Sequence, residues 1–341
     1  MHLHAARTFL FVLLLHGVAP LGAQQAPLVV RAGHFPNLTH AQGVIGQANG
    51  WFDKALAPEA RVEWKIFNAG PSAIEALFAG AIDLTYIGPN PAITGYVRSQ
   101  GVALRIVAGA TSGGAALVVR ADSGIQRTED FRGKKIASPQ MGNTQDVALR
   151  AWLQAHGLKP REKGGDVQVI PIANPDQLTL FIKKEIDGAW APEPWASRLI
   201  HEAGGRLFFD ERDLWPNGQF VTTHLIVNTK FLREHRGLVK RWVQAHVELT
   251  EWISRNLPEA KRVLNQEIKR ETGKALPLSV LDDSFSRLRV TYDPVRSSLL
   301  TSARWAFEAG FLGRTQPDLS GIYDLSILNE VLKARGANPV Q

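Results

Sequence analysis

The 341-residue chain contains no cysteine. Disulfide scaffolds, thiolate zinc sites, iron–sulfur clusters and cysteine nucleophiles are thereby excluded, and so is a lipid anchor through a cysteine after an export leader. Hydrolase motifs are also missing, with neither a Gly-x-Ser-x-Gly elbow nor a His-Glu-x-x-His helix. The 10 histidines show no metal-ligand spacing. The sequence therefore predicts a protein that is not an enzyme, with no catalytic residue, cofactor or metal. Charge of one sign is scarce as well. The formal +7 comes from 39 basic against 32 acidic residues and is spread over a large surface. The basic pairs Lys134-Lys135, Lys183-Lys184, Lys240-Arg241, Lys261-Arg262 and Lys269-Arg270 lack interleaved aromatics, so they read as solvated faces and no nucleic acid is expected.

Long apolar runs are absent too. Phe9–Leu15 is far shorter than the ~20 residues of a membrane span. Placed after the basic start at His2–Arg7 and before the small residues Leu21-Gly22-Ala23, it reads as a signal peptide over residues 1–23, cleaved before Gln24. The expectation is an exported, periplasmic protein without a lipid anchor.

What the chain does have is an average globular composition, 45% hydrophobic and 21% charged. Short apolar runs alternate with segments of helical period, which predicts an α/β fold with mostly parallel sheets. Strands are expected at Leu28–Ala32, Val62–Phe67, Leu84–Ile87, Leu104–Ala108, Ala116–Arg120, Lys135–Ala137, Val167–Pro171, Gly188–Ala191, Arg206–Phe209 and Leu225–Asn228. Helices are expected between them at Thr39–Asn49, Pro71–Ala79, Asn143–His156 and Pro175–Lys184. Beyond Thr229 only helices are expected, at Val239–Asn256, Pro258–Glu271, Leu278–Val290 and Asp293–Glu308.

Five strand-to-helix turns share one design. They are Pro36–Thr39, Asn68–Ser72, Gly88–Pro91, Met141–Thr144 and Ala191–Trp195. A small polar residue or glycine stands at the expected cap, often with proline next: Thr39, Gly70 before Pro71, Asn90 before Pro91, and Asn143. Turned singly, each does no more than start a helix. All five together fall at the carboxyl edge of parallel strands, where open α/β sheets bind ligands. Helix starts converging there would offer free N–H groups and partial positive charge to a small anion.

Three segments carry a family resemblance: Asn68–Leu84 (NAGPSAIEALFAGAIDL), Asp130–Ala137 (DFRGKKIA) and Ile186–Trp195 (IDGAWAPEPW). They resemble the substrate-binding proteins of nitrate/sulfonate/taurine-type ABC importers, especially the aliphatic-sulfonate binders. The resemblance implies a two-lobe, type II periplasmic binding fold with crossovers near Gly114–Val119 and Thr222–Val227. Lobe one would hold residues 27–114 plus 224–341, and lobe two 115–223. It implies a monomer that closes on a small organic anion and delivers it to a permease and its ATPase, with aliphatic sulfonate the preferred ligand. Nitrate, bicarbonate, taurine, a thiamine-precursor pyrimidine or a sensor role remain alternatives. The ligand positions it implies are His34, Asn37, Asn68, the Gly70 amide, Asn90, Ser112, Asn143, Thr144, Trp190 and Glu193. Family members often carry two serines where this chain has Asn143 and Thr144. Trp190 can wall an apolar ligand tail or fill a core. Glu193 can accept from the ligand or favour its own helix start, and His34 can donate to the anion or serve its turn.

Overall fold

A computed structural model describes residues 26–341. The expected signal peptide, residues 1–23, lies outside the described residues. The strands are β1 (Leu28–His34), β2 (Ala60–Ile66), β3 (Leu84–Ile87), β4 (Leu104–Gly113), β5 (Ala115–Arg120), β6 (Lys135–Ser138), β7 (Gln168–Pro171), β8 (Gly188–Pro192), β9 (Gly205–Asp210), β10 (Val221–Asn228) and β11 (Leu288–Val290). They form two sheets. The first runs β11-β4-β10-β3-β1-β2 and the second β7-β6-β8-β5-β9. Strands β1, β2 and β3 are mutually parallel, as are β6, β7 and β8. In the first sheet β10 lies antiparallel between β3 and β4, and β4 between β10 and β11; in the second β5 lies antiparallel between β8 and β9.

The helices are α1 (Ala41–Ala48), α2 (Trp51–Leu56), α3 (Gly70–Phe78), α4 (Pro89–Arg98), α5 (Thr144–Ala155), α6 (Asn174–Ile182), α7 (Trp195–Ala203), α8 (Thr229–Glu234), α9 (Arg236–Arg255), α10 (Leu257–Thr272), α11 (Leu278–Arg287), α12 (Arg296–Glu308) and α13 (Ser326–Ala334). Each sheet packs helices on both faces, which is what strands apolar on both sides require. Phe52 of α2 stacks on Trp242 of α9, 4.0 Å between centroids, at the centre of one core layer of the first lobe. Ile74, Ile87, Ile93 and Leu299 build the opposite layer. Among the described residues no helix is long and apolar enough to cross a membrane.

One expected helix gives way to a strand. Helix α11 stops at Arg287, and Leu288–Val290 leave it to pair antiparallel with Gly113–Thr111 of β4. A helix continued to Val290 would leave that edge of β4 unpaired. Trp305 of α12 packs on Trp215, 4.8 Å between centroids, and on the core of the second lobe.

The chain passes between sheets at Gly113–Ala115 and returns through residues 211–220. Gly113 and Gly114 have φ of +74° and +80°, the left-handed region that glycine enters without a Cβ penalty. A Cβ on Gly114 would stand 2.9 Å from the Leu288 Cβ and 3.0 Å from the Thr39 Cγ2. The passage between lobes is thus one residue wide, tightly enclosed, and built of residues that tolerate backbone rotation.

Candidate functional site

The carboxyl ends of β1, β2 and β3 face those of β6, β7 and β8 across the gap between lobes. A cavity of about 20 Å³ lies there, far smaller than the about 300–1,000 Å³ of occupied ligand pockets. The first lobe contributes Phe35, Asn37, Thr39 and His40 after β1, Asn68 after β2, Gly88 after β3, and Thr222 from the start of β10. The second contributes Asn143, Thr144 and Gln145 at α5, Asn174 at α6, and Pro192. Each of the five turns singled out above therefore places a residue on one wall or the other.

Among the described residues the wall holds no Lys, Arg, Asp or Glu. Its one group that can titrate near neutrality is His40, and burial, with His34 nearby, pushes that imidazole well below its ordinary value and keeps it uncharged. The His40 ring stacks on Phe35, and its Nδ1 accepts the Phe35 N–H at 3.4 Å, which places the ring proton on Nε2.

Helix starts supply the polarity. Helices α3, α4, α5 and α6 begin after Ala69, Gly88, Asn143 and Ala173, and in none does the cap residue's side chain bond the first-turn N–H groups. By contrast, Asn228 caps α8 by accepting from Lys230 and Phe231. An uncapped start keeps its partial positive charge and those orphan donors that proline does not remove, since Pro71, Pro89, Pro91 and Pro175 carry no N–H. The expected caps shift by one or two residues: α4 starts at Pro89 rather than after Asn90, α3 at Gly70, and Leu38–His40 form a 3₁₀ turn ahead of α1.

The two walls touch. A Cβ built on Gly88 would fall inside the Thr144 hydroxyl, and one on Gly70 would strike Pro91 and lie 3.2 Å from the Asn143 amide oxygen. Val147, one turn into α5, sits in the first lobe's core layer beside Ile74 and Ile87. The first turn of α5 is thus docked on α3 and α4, and the cavity is shut. Asn37, 4% exposed, accepts the Trp195 indole N–H at 2.9 Å across the gap.

Of the ten sequence-derived positions, Asn37, Asn68, Asn143 and Thr144 line the cavity, Asn68 at its exposed rim. Gly70 backs the wall through Pro91 and Asn143. Five lie elsewhere. His34 turns its ring to the helix layer, where Nε2 meets Gln47 at 2.7 Å and Glu271 at 3.1 Å. Although burial opposes charging it, those partners hold its pKa above the ordinary value. Asn90 donates to the Ser302 carbonyl on α12. Ser112 faces a separate crevice beside Arg212 and Arg289. Trp190 does not wall the cavity: fully buried, it fills the second lobe's core against Phe209 and donates to Glu211 at 2.7 Å.

Glu193 does not reach the cavity either. Its carboxylate pairs with Arg287 of α11 at 3.0 Å, accepts the Ser197 N–H at 3.0 Å, and accepts the Ser284 hydroxyl at 2.9 Å. Sequence reasoning missed Phe35, His40 and Asn174. An Asn-Pro step after a strand marks Asn174, the same signal that marks the other turns.

The Trp190–Glu211 pair carries a testable pH dependence. Burial pushes the Glu211 carboxyl up to about 7, although the Trp190 and Trp215 indoles donate to it. Unfolded, a glutamate titrates near ~4.3. Between those values the folded chain binds the extra proton, so stability is full below about pH 4.3 and is lost as pH rises through about 7. Glu211→Gln is expected to flatten that loss, gaining about 4 kcal/mol at pH 8 and nothing at pH 4. Thermal unfolding of both proteins across that range checks it; an unchanged slope refutes it.

Comparison with known proteins places this architecture. The chain is 26% identical over 204 residues to the taurine-binding periplasmic protein of Escherichia coli K12, covering 60% of each chain. It is 25% identical over 296 residues to a putative aliphatic sulfonates-binding protein of Bacillus subtilis 168, covering 85% of this chain and 84% of that one. Its fold matches the alkanesulfonate-binding protein SsuA of Xanthomonas axonopodis pv. citri bound to MOPS, with TM-score 0.72 and 19% identity over 87% of this chain and 98% of that one. It also matches the nitrate-binding protein NrtA of Synechocystis PCC 6803, with TM-score 0.75 and 16% identity over 90% and 89%. These are two-lobe, type II periplasmic binding folds, as the sheet topology here requires. A model of the NMT1-like family matches residues 23–268, and the chain belongs to that family.

Proposed function

We propose that this protein is the extracytoplasmic solute-binding component of an ABC importer, holding a small organic anion, with aliphatic sulfonate preferred, between its two lobes. The observation that carries this reading is the set of uncapped helix starts around a shut cavity with no charged side chain among the described residues. A formal negative charge suits such a cavity, because converging N–H donors solvate it without a counter-ion. Hydrogen bonds to a charged group contribute roughly 1.5–3 kcal/mol each. Four or five of them reach the about 8 kcal/mol of micromolar binding. The names of the relatives, binders of taurine and of aliphatic sulfonates, point the same way.

In this reading Asn37, Asn143 and Thr144 contact the ligand. The lobes comprise residues 27–114 plus 224–341 and residues 115–223, and they swing about Gly113–Gly114. The protein works as a periplasmic monomer after losing residues 1–23, and the shut form is what a membrane permease and its ATPase receive. It binds and performs no chemistry on its ligand.

A thermal-shift panel of alkanesulfonates, taurine, nitrate, bicarbonate and pyrimidines tests the reading. An anion at 100 times its Kd should raise Tm by about 4 °C. Stabilisation by neutral or cationic compounds alone would refute it. Thr144→Val, which keeps shape and removes one donor, should weaken the stabilising anion about tenfold in calorimetry. Equal affinity would remove Thr144 from the site.

A further inference from the structure

The shut cavity leaves two side-chain atoms buried without a hydrogen-bond partner: the Thr144 hydroxyl and the Asn174 amide oxygen. Their residues are 5% and 4% exposed and stand in the first turns of α5 and α6. The two orphans ask for different chemistry. A hydroxyl can turn its proton to an anion, whereas an amide oxygen only accepts. An anionic head satisfies Thr144 and repels the oxygen of Asn174.

Among the described residues nothing on the protein side answers that oxygen. The other buried amides on the wall have partners, since Asn37 accepts from Trp195 and Gln145 accepts from Asn143. Among the described residues no lysine or arginine lines the cavity to reach Asn174. Buried acceptors in folded proteins are almost always paired, by protein, ligand or ordered water. Both orphans line the same cavity, so the same ligand can reach both lobe-two helix starts.

We infer that Asn174 is a specificity-determining residue, selecting anions that also carry a hydrogen-bond donor, a hydroxyl or amino group, and discriminating against otherwise identical anions without one. This rests on the anion reading above and narrows it. Sites built to meet a polar group reject the analogue lacking it far more strongly than apolar pockets reject an extra methylene.

Calorimetry with three matched compounds tests it: taurine and 2-hydroxyethanesulfonate, which carry a donor, and ethanesulfonate, which does not. The wild-type protein should bind at least one donor-bearing compound about tenfold or more tighter than ethanesulfonate. Asn174→Ala should weaken that compound, leave ethanesulfonate unchanged, and bring the ratio to about one. Equal binding of all three by the wild type gives the amide oxygen to a water molecule and overturns the inference while the anion reading stands. A preference that survives in Asn174→Ala overturns it equally. Binding of none of the three defeats the sulfonate reading itself, and the inference with it. The wild-type comparison needs no variant, so it decides even if Asn174→Ala folds poorly.

Discussion

Gly88→Val is expected to abolish ligand capture, with affinity falling about 100-fold or more, while the ligand-free protein stays folded. Gly88 has φ −69° and ψ 158°, a backbone conformation any residue adopts, so the substitution brings no local strain. Its cost lies across the gap. The new Cβ would overlap the Thr144 hydroxyl, 3.4 Å short of the Thr144 Cβ and 3.6 Å from the Thr222 carbonyl. Valine adds two methyl groups to the same point. The clash is between lobes, and the hinge can relieve it by opening, which core overpacking cannot do.

The expected signature is therefore a split: Tm without ligand within a few degrees of wild type, a larger radius of gyration in small-angle scattering, and loss of the stabilisation that the binding anion gives. A 100-fold loss corresponds to about 2.7 kcal/mol. Retained affinity with an unchanged radius would mean that the walls do not meet at Gly88 when ligand is bound. Collapse of Tm would place the clash inside a lobe instead.

Local chemistry was legible in the sequence and pairing at a distance was not. The turns at Asn37, Asn68, Gly88 and Asn143 are visible because glycine, asparagine and proline at a strand-to-helix junction have conformational meaning within four residues. Their common cavity follows once the strands are parallel, since every carboxyl end then lies on one edge. His34 fails for a reason of phase. Side chains alternate along β1, and the last one faces Gln47 and Glu271 while the following loop turns back to the cavity. Trp190 follows the same alternation into the core of the second lobe. Arg287, the partner of Glu193, lies 94 residues away, beyond any spacing rule. The strand at Leu288–Val290 is of the same kind: three residues become a strand only because the edge of β4 is there to receive them.

That distant pair sets the other large effect. Arg287→Met is expected to destabilise the protein by about 3–5 kcal/mol at pH 7, the cost of stranding one partner of a buried ion pair. Arg287 ties the lobes together beside the hinge. Its guanidinium meets Glu193 at 3.0 Å and Asp210 at 3.8 Å in the second lobe, and Asp283 on its own helix at 2.7 Å. Glu193 is fully buried. Burial pushes its carboxyl up, and Arg287, the Ser197 N–H and the Ser284 hydroxyl pull against that. Removing the guanidinium leaves burial with less opposition, so the carboxyl rises further and the folded variant takes up a proton. An acid with a raised folded pKa keeps its stability below the unfolded value near ~4.3 and loses it as pH climbs. The deficit of Arg287→Met should accordingly be small at pH 4.5 and full at pH 8. Adding Glu193→Gln removes the stranded charge and should restore most of the loss at pH 8, because two neutral groups of matching shape replace an ion pair at little net cost. Thermal unfolding of the single and double variants at the two pH values measures this. A deficit independent of pH, or a double variant no better than the single, would show that Arg287 acts through packing of its alkyl stem against α7 and β4 rather than through its charge.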